Sequence, residues 1–119
     1  MNFTDLFAWQ KAIDLVVAVY DSTEGFPSKE QFSLTNQMRR AATSIPSNIA
    51  EGQGRSTTKD YVHSLRIARG SLQELETQIY ISNRLKYLSD EARTALLSQS
   101  AEVSRLISGL ARTLSSADT

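Results

Sequence analysis

His63 is the one histidine in this chain, and Asp60 stands three residues before it. A di-iron or di-manganese bundle needs Glu-x-x-His pairs projecting inward from facing helices. A single Asp-x-x-His cannot supply them. Cysteine is absent, so a disulfide framework, a thiolate zinc site and a thiol nucleophile are all excluded. A zinc site built without thiolates needs several imidazoles and finds one. Ser-His-Asp chemistry has its residue types available, but no nucleophile elbow accompanies His63, which falls on the polar face of a helical pattern. His63 is therefore read as an ordinary surface or interface residue.

Two further spacings invite a catalytic or phosphate-binding reading, and neither holds. Arg55 and His63 are separated by seven residues, wider than the arginine–histidine spacing of helical RNA-cleaving domains. Gly52-Gln53-Gly54-Arg55 has the glycines of a phosphate loop, but no strand precedes it and no Lys-Ser/Thr follows. Helix punctuation accounts for it better. The amides that open the next helix, beside Arg55 and Lys59, could hold an anion. No catalytic residue, metal or cofactor emerges, and the chain is read as not an enzyme.

What stands out instead is polarity where a bundle helix should be apolar. Gln37, Arg39, Arg40, Ser44, Asn48, Glu51 and Arg55 interleave with the hydrophobic stripe of one helix, and Ser71 and Glu74 flank the stripe of the next. Buried polar groups must find partners, so Gln37, Ser44, Asn48, Glu51, Ser71 and Glu74 are expected to form a structural network that fixes helix register. Glu51 and Arg55, four apart, can pair if the helix reaches that far.

Charge adds a second pattern. The formal net charge is zero, but residues 1–34 carry −3, residues 35–72 carry +4 and residues 73–119 carry −1. The cations of the middle segment, Arg39, Arg40, Arg55, Lys59, Arg66 and Arg69, are where an anionic macromolecule would dock. The alternative is a solvated face, or ion pairs with acids of a neighbouring subunit.

The elements that must position these groups follow from period and punctuation. Apolar residues recur at helical spacing in four runs, at about 4–23, 28–52, 57–87 and 90–114, with no strand pattern and no internal repeat. The first run carries the stripe Leu6, Trp9, Ile13, Val16 and Tyr20, capped by Thr4, and beside it a second, Ala8, Ala12, Leu15 and Val19. That arc is wider than one bundle core uses, so its outer part is expected to meet another subunit unless the helix is sunk deep in its own bundle.

Gly25-Phe26-Pro27 ends the first helix, and Ser28 with Gln31 has the form of a capping box. The second helix carries Leu34, Met38, Ala41, Ile45 and Ile49 and is expected to kink at Pro46. The third runs through Tyr61, Leu65, Ala68, Leu72, Leu75 and Ile79 with Gly70 inside it, at a cost of about 1 kcal/mol. The fourth presents Leu96, Val103, Ile107, Leu110 and Leu114, after which a small polar tail is expected to fray. Short connections make neighbours antiparallel, which predicts one all-α domain over residues 1–119: an up-down-up-down four-helix bundle. The longest apolar run, Leu15 to Tyr20, is too short for a bilayer, and the opening residues carry no signal-peptide pattern. A cytoplasmic protein without membrane contact is expected.

Two stretches carry a resemblance. Met38-Arg39-Arg40-Ala41-Ala42-Thr43-Ser44-Ile45-Pro46-Ser47-Asn48-Ile49-Ala50-Glu51-Gly52, followed by Gly54-Arg55, resembles the signature of the bacterial four helix bundle proteins. That family is also called the 23S rRNA intervening sequence, or S23 ribosomal, protein family. Ala68-Arg69-Gly70-Ser71-Leu72-Gln73-Glu74 resembles its second signature, and Phe3, Leu6, Trp9, Ala12 and Tyr20 its opening helix. The resemblance implies a four-helix bundle that assembles as a homopentamer. Some members are encoded within insertions in large-subunit ribosomal RNA genes, and a related bundle protein assists a retroelement reverse transcriptase through a basic pentameric surface. No catalytic residues are known for the family. The function expected is thus a non-enzymatic, self-assembling module that binds RNA or an RNA–protein complex, with a protein-binding scaffold lacking nucleic-acid affinity as the alternative.

Overall fold

Asn2 sets the first turn. Its side chain accepts the Thr4 amide at 3.0 Å and Asp5 accepts the Asn2 amide at 3.3 Å, the reciprocal pairing of a capping box. The computed structural model describes residues 2–117. A 3-10 turn over Phe3–Asp5 leads into α1, Phe7–Thr23. Thr4 therefore does not cap α1 as the sequence suggested; Leu6 holds that position without a side-chain cap. The Gln10 side-chain amide donates to the Thr4 carbonyl at 2.9 Å.

The face of α1 that enters the core is the one lined by small residues. Ala8, Ala12, Leu15, Val19 and Thr23 are buried, whereas Ile13 and Val16 are half-buried and Tyr20 is exposed. Of the two stripes, the one through Ala8, Ala12, Leu15 and Val19 is thus the inner face and the other the flank. Alanines let neighbouring helices come close, and bulkier residues are left at the edge. There Trp9 meets the Phe3 ring edge-on, centroids 5.4 Å apart.

After α1 the chain makes a second 3-10 turn, Ser28–Glu30, before α2 begins at Leu34 and runs to Gln53. The capping box expected at Ser28 and Gln31 is not formed, and the helix starts six residues later than expected. Tertiary contacts explain the delay. Phe26 is buried against Tyr87 with ring centroids 5.4 Å apart, and the Tyr87 hydroxyl donates to Glu30 Oε2 at 3.0 Å. These contacts hold the link against the far end of the bundle.

Pro46 is buried inside α2, and the helix continues through it. Proline removes one amide and crowds the preceding turn, and side chains take up carbonyls there. Ser47 Oγ donates to the Thr43 carbonyl at 2.8 Å, and Asn48 Nδ2 to the Ser44 carbonyl at 2.8 Å.

α3 spans Thr58–Arg84, capped by Thr57, whose hydroxyl accepts the Asp60 amide at 3.1 Å. It ends three residues sooner than expected because Lys86 turns into the left-handed region, φ 66°. The Tyr87 amide then returns to the Ser82 carbonyl at 2.9 Å. Such a helix stop usually calls on glycine. Asn83 ties the turn to the next helix: its Nδ2 donates to the Leu88 carbonyl at 3.1 Å and to Asp90 Oδ1 at 2.9 Å. α4, Asp90–Ala117, runs past the expected end at 114; Asp118 and Thr119, part of the tail expected to fray, lie outside the described residues.

α1 packs on α2 and α4, and α3 packs on the same two helices, closing a bundle with no strand among the described residues. Met38 meets Ser82, Ser44 meets Ser71 and Gly52 meets Ser64. Position rises along α2 as it falls along α3, so these two helices run in opposite directions. The core between the four is Leu15, Met38, Ile45, Ile49, Leu65, Leu72, Leu75, Ile79, Val103 and Ile107. Each large apolar side chain so buried contributes about 1.5–3 kcal/mol relative to exposure. No helix among the described residues is long and apolar enough to cross a membrane.

Candidate macromolecule-binding surface

His63 is exposed on α3, and among the described residues no three His, Cys, Asp or Glu side chains group as metal ligands do. What the fold arranges is the basic residues, and it divides the six expected contacts into two sets.

Arg39, Arg40 and Arg55 belong to α2 and its end. Arg39 is half-buried and structural. Its Nε donates to Thr23 Oγ1 at 3.0 Å, and its guanidinium lies 4.5 Å from the Tyr20 ring centroid. Thr23 in turn donates to the Val19 carbonyl at 2.8 Å. This cation–π and hydrogen-bond contact fastens α2 to α1. Arg55 pairs with Glu51, although α2 ends at Gln53. Arg40 is exposed and makes no ion pair among the described residues.

Arg40 lines a groove of about 350 Å³ between α2 and α3 together with Gln37, Ser44, Ser71 and Glu74. Of the six polar residues expected to form a network, the structure joins three. Ser44 and Ser71 share a hydroxyl hydrogen bond of 2.8 Å, and Asn48 Nδ2 donates to Ser44 Oγ at 3.0 Å. Glu74 instead accepts from Gln78 within α3 at 3.4 Å, Glu51 turns to Arg55, and Gln37 is exposed on the groove rim.

Lys59, Arg66 and Arg69 are exposed on α3. Arg66 and Arg69 line a second groove of about 590 Å³ between α3 and α4, and Arg112 of α4 lines it with them. Val62, Leu65 and Ala111 contribute apolar surface there, and Ser108 and Ser115 contribute hydroxyls. No carboxylate among the described residues lines it. Glu76 belongs to an adjoining groove that Arg66 and Arg69 also border. None of the three arginines makes an ion pair among the described residues. On the other side of Arg112 a third groove, about 770 Å³, includes Arg105. The basic surface thus continues across α4.

Arg105 and Arg112 escaped the sequence reading because they sit in a segment whose net charge is negative. Their spacing of seven, which places both on one helix face, was the available signal. That this face borders Arg66 and Arg69 depends on how α4 packs on α3.

The model of a family described as 23S rRNA-intervening sequence protein matches residues 4–109. Among solved structures, a protein of unknown function from the S23 ribosomal protein family of Bacteroides thetaiotaomicron VPI-5482 superposes with a TM-score of 0.78. The identity is 22%, over 87% of this chain and 97% of that one. At this identity the likeness is one of fold. No curated protein matches the chain.

Proposed function

The chain belongs to the 23S rRNA-intervening sequence protein family, and from that premise we propose that it is a non-enzymatic binding module whose partner is RNA or an RNA–protein complex. The observation that carries this reading is the α3–α4 groove, which Arg66, Arg69 and Arg112 line with no carboxylate among the described residues. Arginines that have no protein partner and face solvent favour phosphate, which matches the guanidinium fork. Lys59 and Arg40 extend the cationic surface. The module works as a homo-oligomer, a pentamer in the family's pattern, within the cytoplasm. A salt-titrated binding assay with structured RNA tests the reading. Affinity that falls with salt is expected, and binding that is absent or flat across salt refutes it.

A self-assembling or protein-binding scaffold is the second reading, favoured by a different observation. Val17, Tyr80, Ile81 and Leu85 are large apolar side chains at least 44% exposed, with Phe7 and Phe32 more so. Apolar surface of this kind marks interaction sites when it is contiguous, and Tyr80, Ile81 and Leu85 border one groove with Thr77 and Arg84. Light scattering across a concentration series decides whether copies associate. A monomer at every concentration contradicts self-assembly.

A further inference from the structure

We infer that the apolar groove at the C-terminal end of α3 takes the outer face of α1 from a second copy, an inference that rests on the self-assembly reading above. Tyr80, Ile81 and Leu85 give that groove, about 470 Å³ in volume, its apolar wall. Each stays at least 44% exposed within one chain. Arg84 borders the groove and Lys86 follows it, both exposed and without an ion pair among the described residues. The neighbouring acids are engaged elsewhere. Glu74 accepts from Gln78 and lines the groove of Arg40, and Asp90 is held by Asn83 and Arg93. The end of α3 is thus an apolar patch with a positive edge.

The outer face of α1 carries the complement. Asp14, Val17, Asp21 and Glu24 are exposed and recur every three or four residues, which sets them in one stripe. Val17 is 55% exposed and Tyr20, beside it, 41%. None of the three acids makes an ion pair among the described residues, and nearby Lys11 turns to Glu102 of α4. The Tyr20 ring is already held by Arg39, so docking removes little of its conformational freedom. Asp14 to Glu24 and Thr77 to Arg84 each span about 10–15 Å of helix, and the two patches match in length.

Within one chain these faces cannot meet. Among the described residues α1 and α3 each pack on α2 and α4 but not on each other, so they stand at opposite corners with their outer faces pointing apart. Like faces do not match either. α1 on α1 sets acid against acid, and α3 on α3 sets cation against cation, which costs affinity. The favoured contact is α1 of one copy on α3 of the next, leaving every bound copy one free face to offer. A head-to-tail contact of this kind closes as a ring or runs on as a filament, and does not stop at two.

Sedimentation velocity of the full chain over a concentration series tests this contact with two variants. One carries Asp14→Lys and Asp21→Lys, the other Arg84→Glu and Lys86→Glu. All four side chains are exposed, and circular dichroism checks that both variants keep the helix content of the parent. The parent is expected to form species larger than a dimer, and each variant alone to sediment as one chain. An equal mixture of the two should assemble again, because every α1 in it then finds an α3 of opposite sign. A folded variant that assembles as the parent does overturns the pairing of these faces while self-assembly stands. A mixture that stays monomeric, or a parent that stops at a dimer, overturns it as well. If the parent is a single chain at every concentration, the self-assembly reading fails, and this inference with it.

Discussion

Gly52 and Ser64 approach so closely that a β-carbon on the glycine would stand 2.9 Å from Cβ of the serine. Tyr61 closes the same space, with its Cδ1 3.0 Å from that position. Gly52 is therefore the residue at which the C-terminal part of α2 rests on the start of α3, near the signature stretches that carry the family resemblance. Read from the sequence it was a helix stop; in the fold it is a close contact inside the helix.

Alanine at the two helical glycines should consequently act in opposite directions. Gly52→Ala overpacks a contact that backbone and a short side chain cannot vacate, and is expected to cost about 1–3 kcal/mol. A β-carbon on Gly70 meets nothing within 4 Å, so Gly70→Ala should stabilise by about 0.5–1 kcal/mol through helix propensity alone. Urea unfolding of the two variants measures both. Equal effects would show that α2 and α3 are not in contact at Gly52.

The Ser44–Ser71 bond couples the two helices that share the groove of Arg40. A double-mutant cycle of Ser44→Ala and Ser71→Ala is expected to give a coupling of about 1 kcal/mol, the usual net value of a hydrogen bond in a folded chain. Additive single effects would mean that the two hydroxyls do not interact in solution.

Lys86 holds a left-handed backbone that disfavours any side chain with a β-carbon. Lys86→Gly should therefore raise stability by about 1 kcal/mol, visible as a higher melting temperature. A drop instead would show that the lysine side chain contributes more than its backbone conformation costs.

Tyr87 gives the bundle a signature at alkaline pH. Its hydrogen bond to Glu30, then burial, then the Glu30 charge raise its phenol above the ordinary value. The neutral phenol is the form the fold stabilises. That contribution is complete below the unfolded value of about 10 and is lost as pH rises through the higher folded value. Stability curves of the parent and of Tyr87→Phe should converge as the pH climbs past that range, and curves that stay parallel would remove Glu30 from the account. Tyr61, raised by burial, contributes a similar decline to both proteins.

Four helices, their order and most of their core were legible in the chain because hydrophobic period and Gly/Pro punctuation are local properties. Leu65, Leu72, Leu75 and Ile79 of α3 are buried as the period requires. The errors fall where local preference met a distant residue. Ser28 and Gln31 have the spacing of a capping box, yet Tyr87, in the link after α3, holds their segment in a 3-10 turn through Glu30 and Phe26. In α1 two apolar stripes were visible, and only the packing of α2 and α4 decided that the alanine side faces inward.

The sequence by itself determined an all-α chain, lacking cysteine and with a single histidine, whose net positive charge falls between 35 and 72. Tertiary structure decided what each of those charges meets. Arg39 is occupied by Thr23 and Tyr20 and Arg55 by Glu51, while Arg66 and Arg69 gain Arg112 from a segment of opposite net charge. The physical reason is one of range. Helix formation depends on neighbours within a turn or two, whereas the field at a surface sums over side chains that only packing brings together.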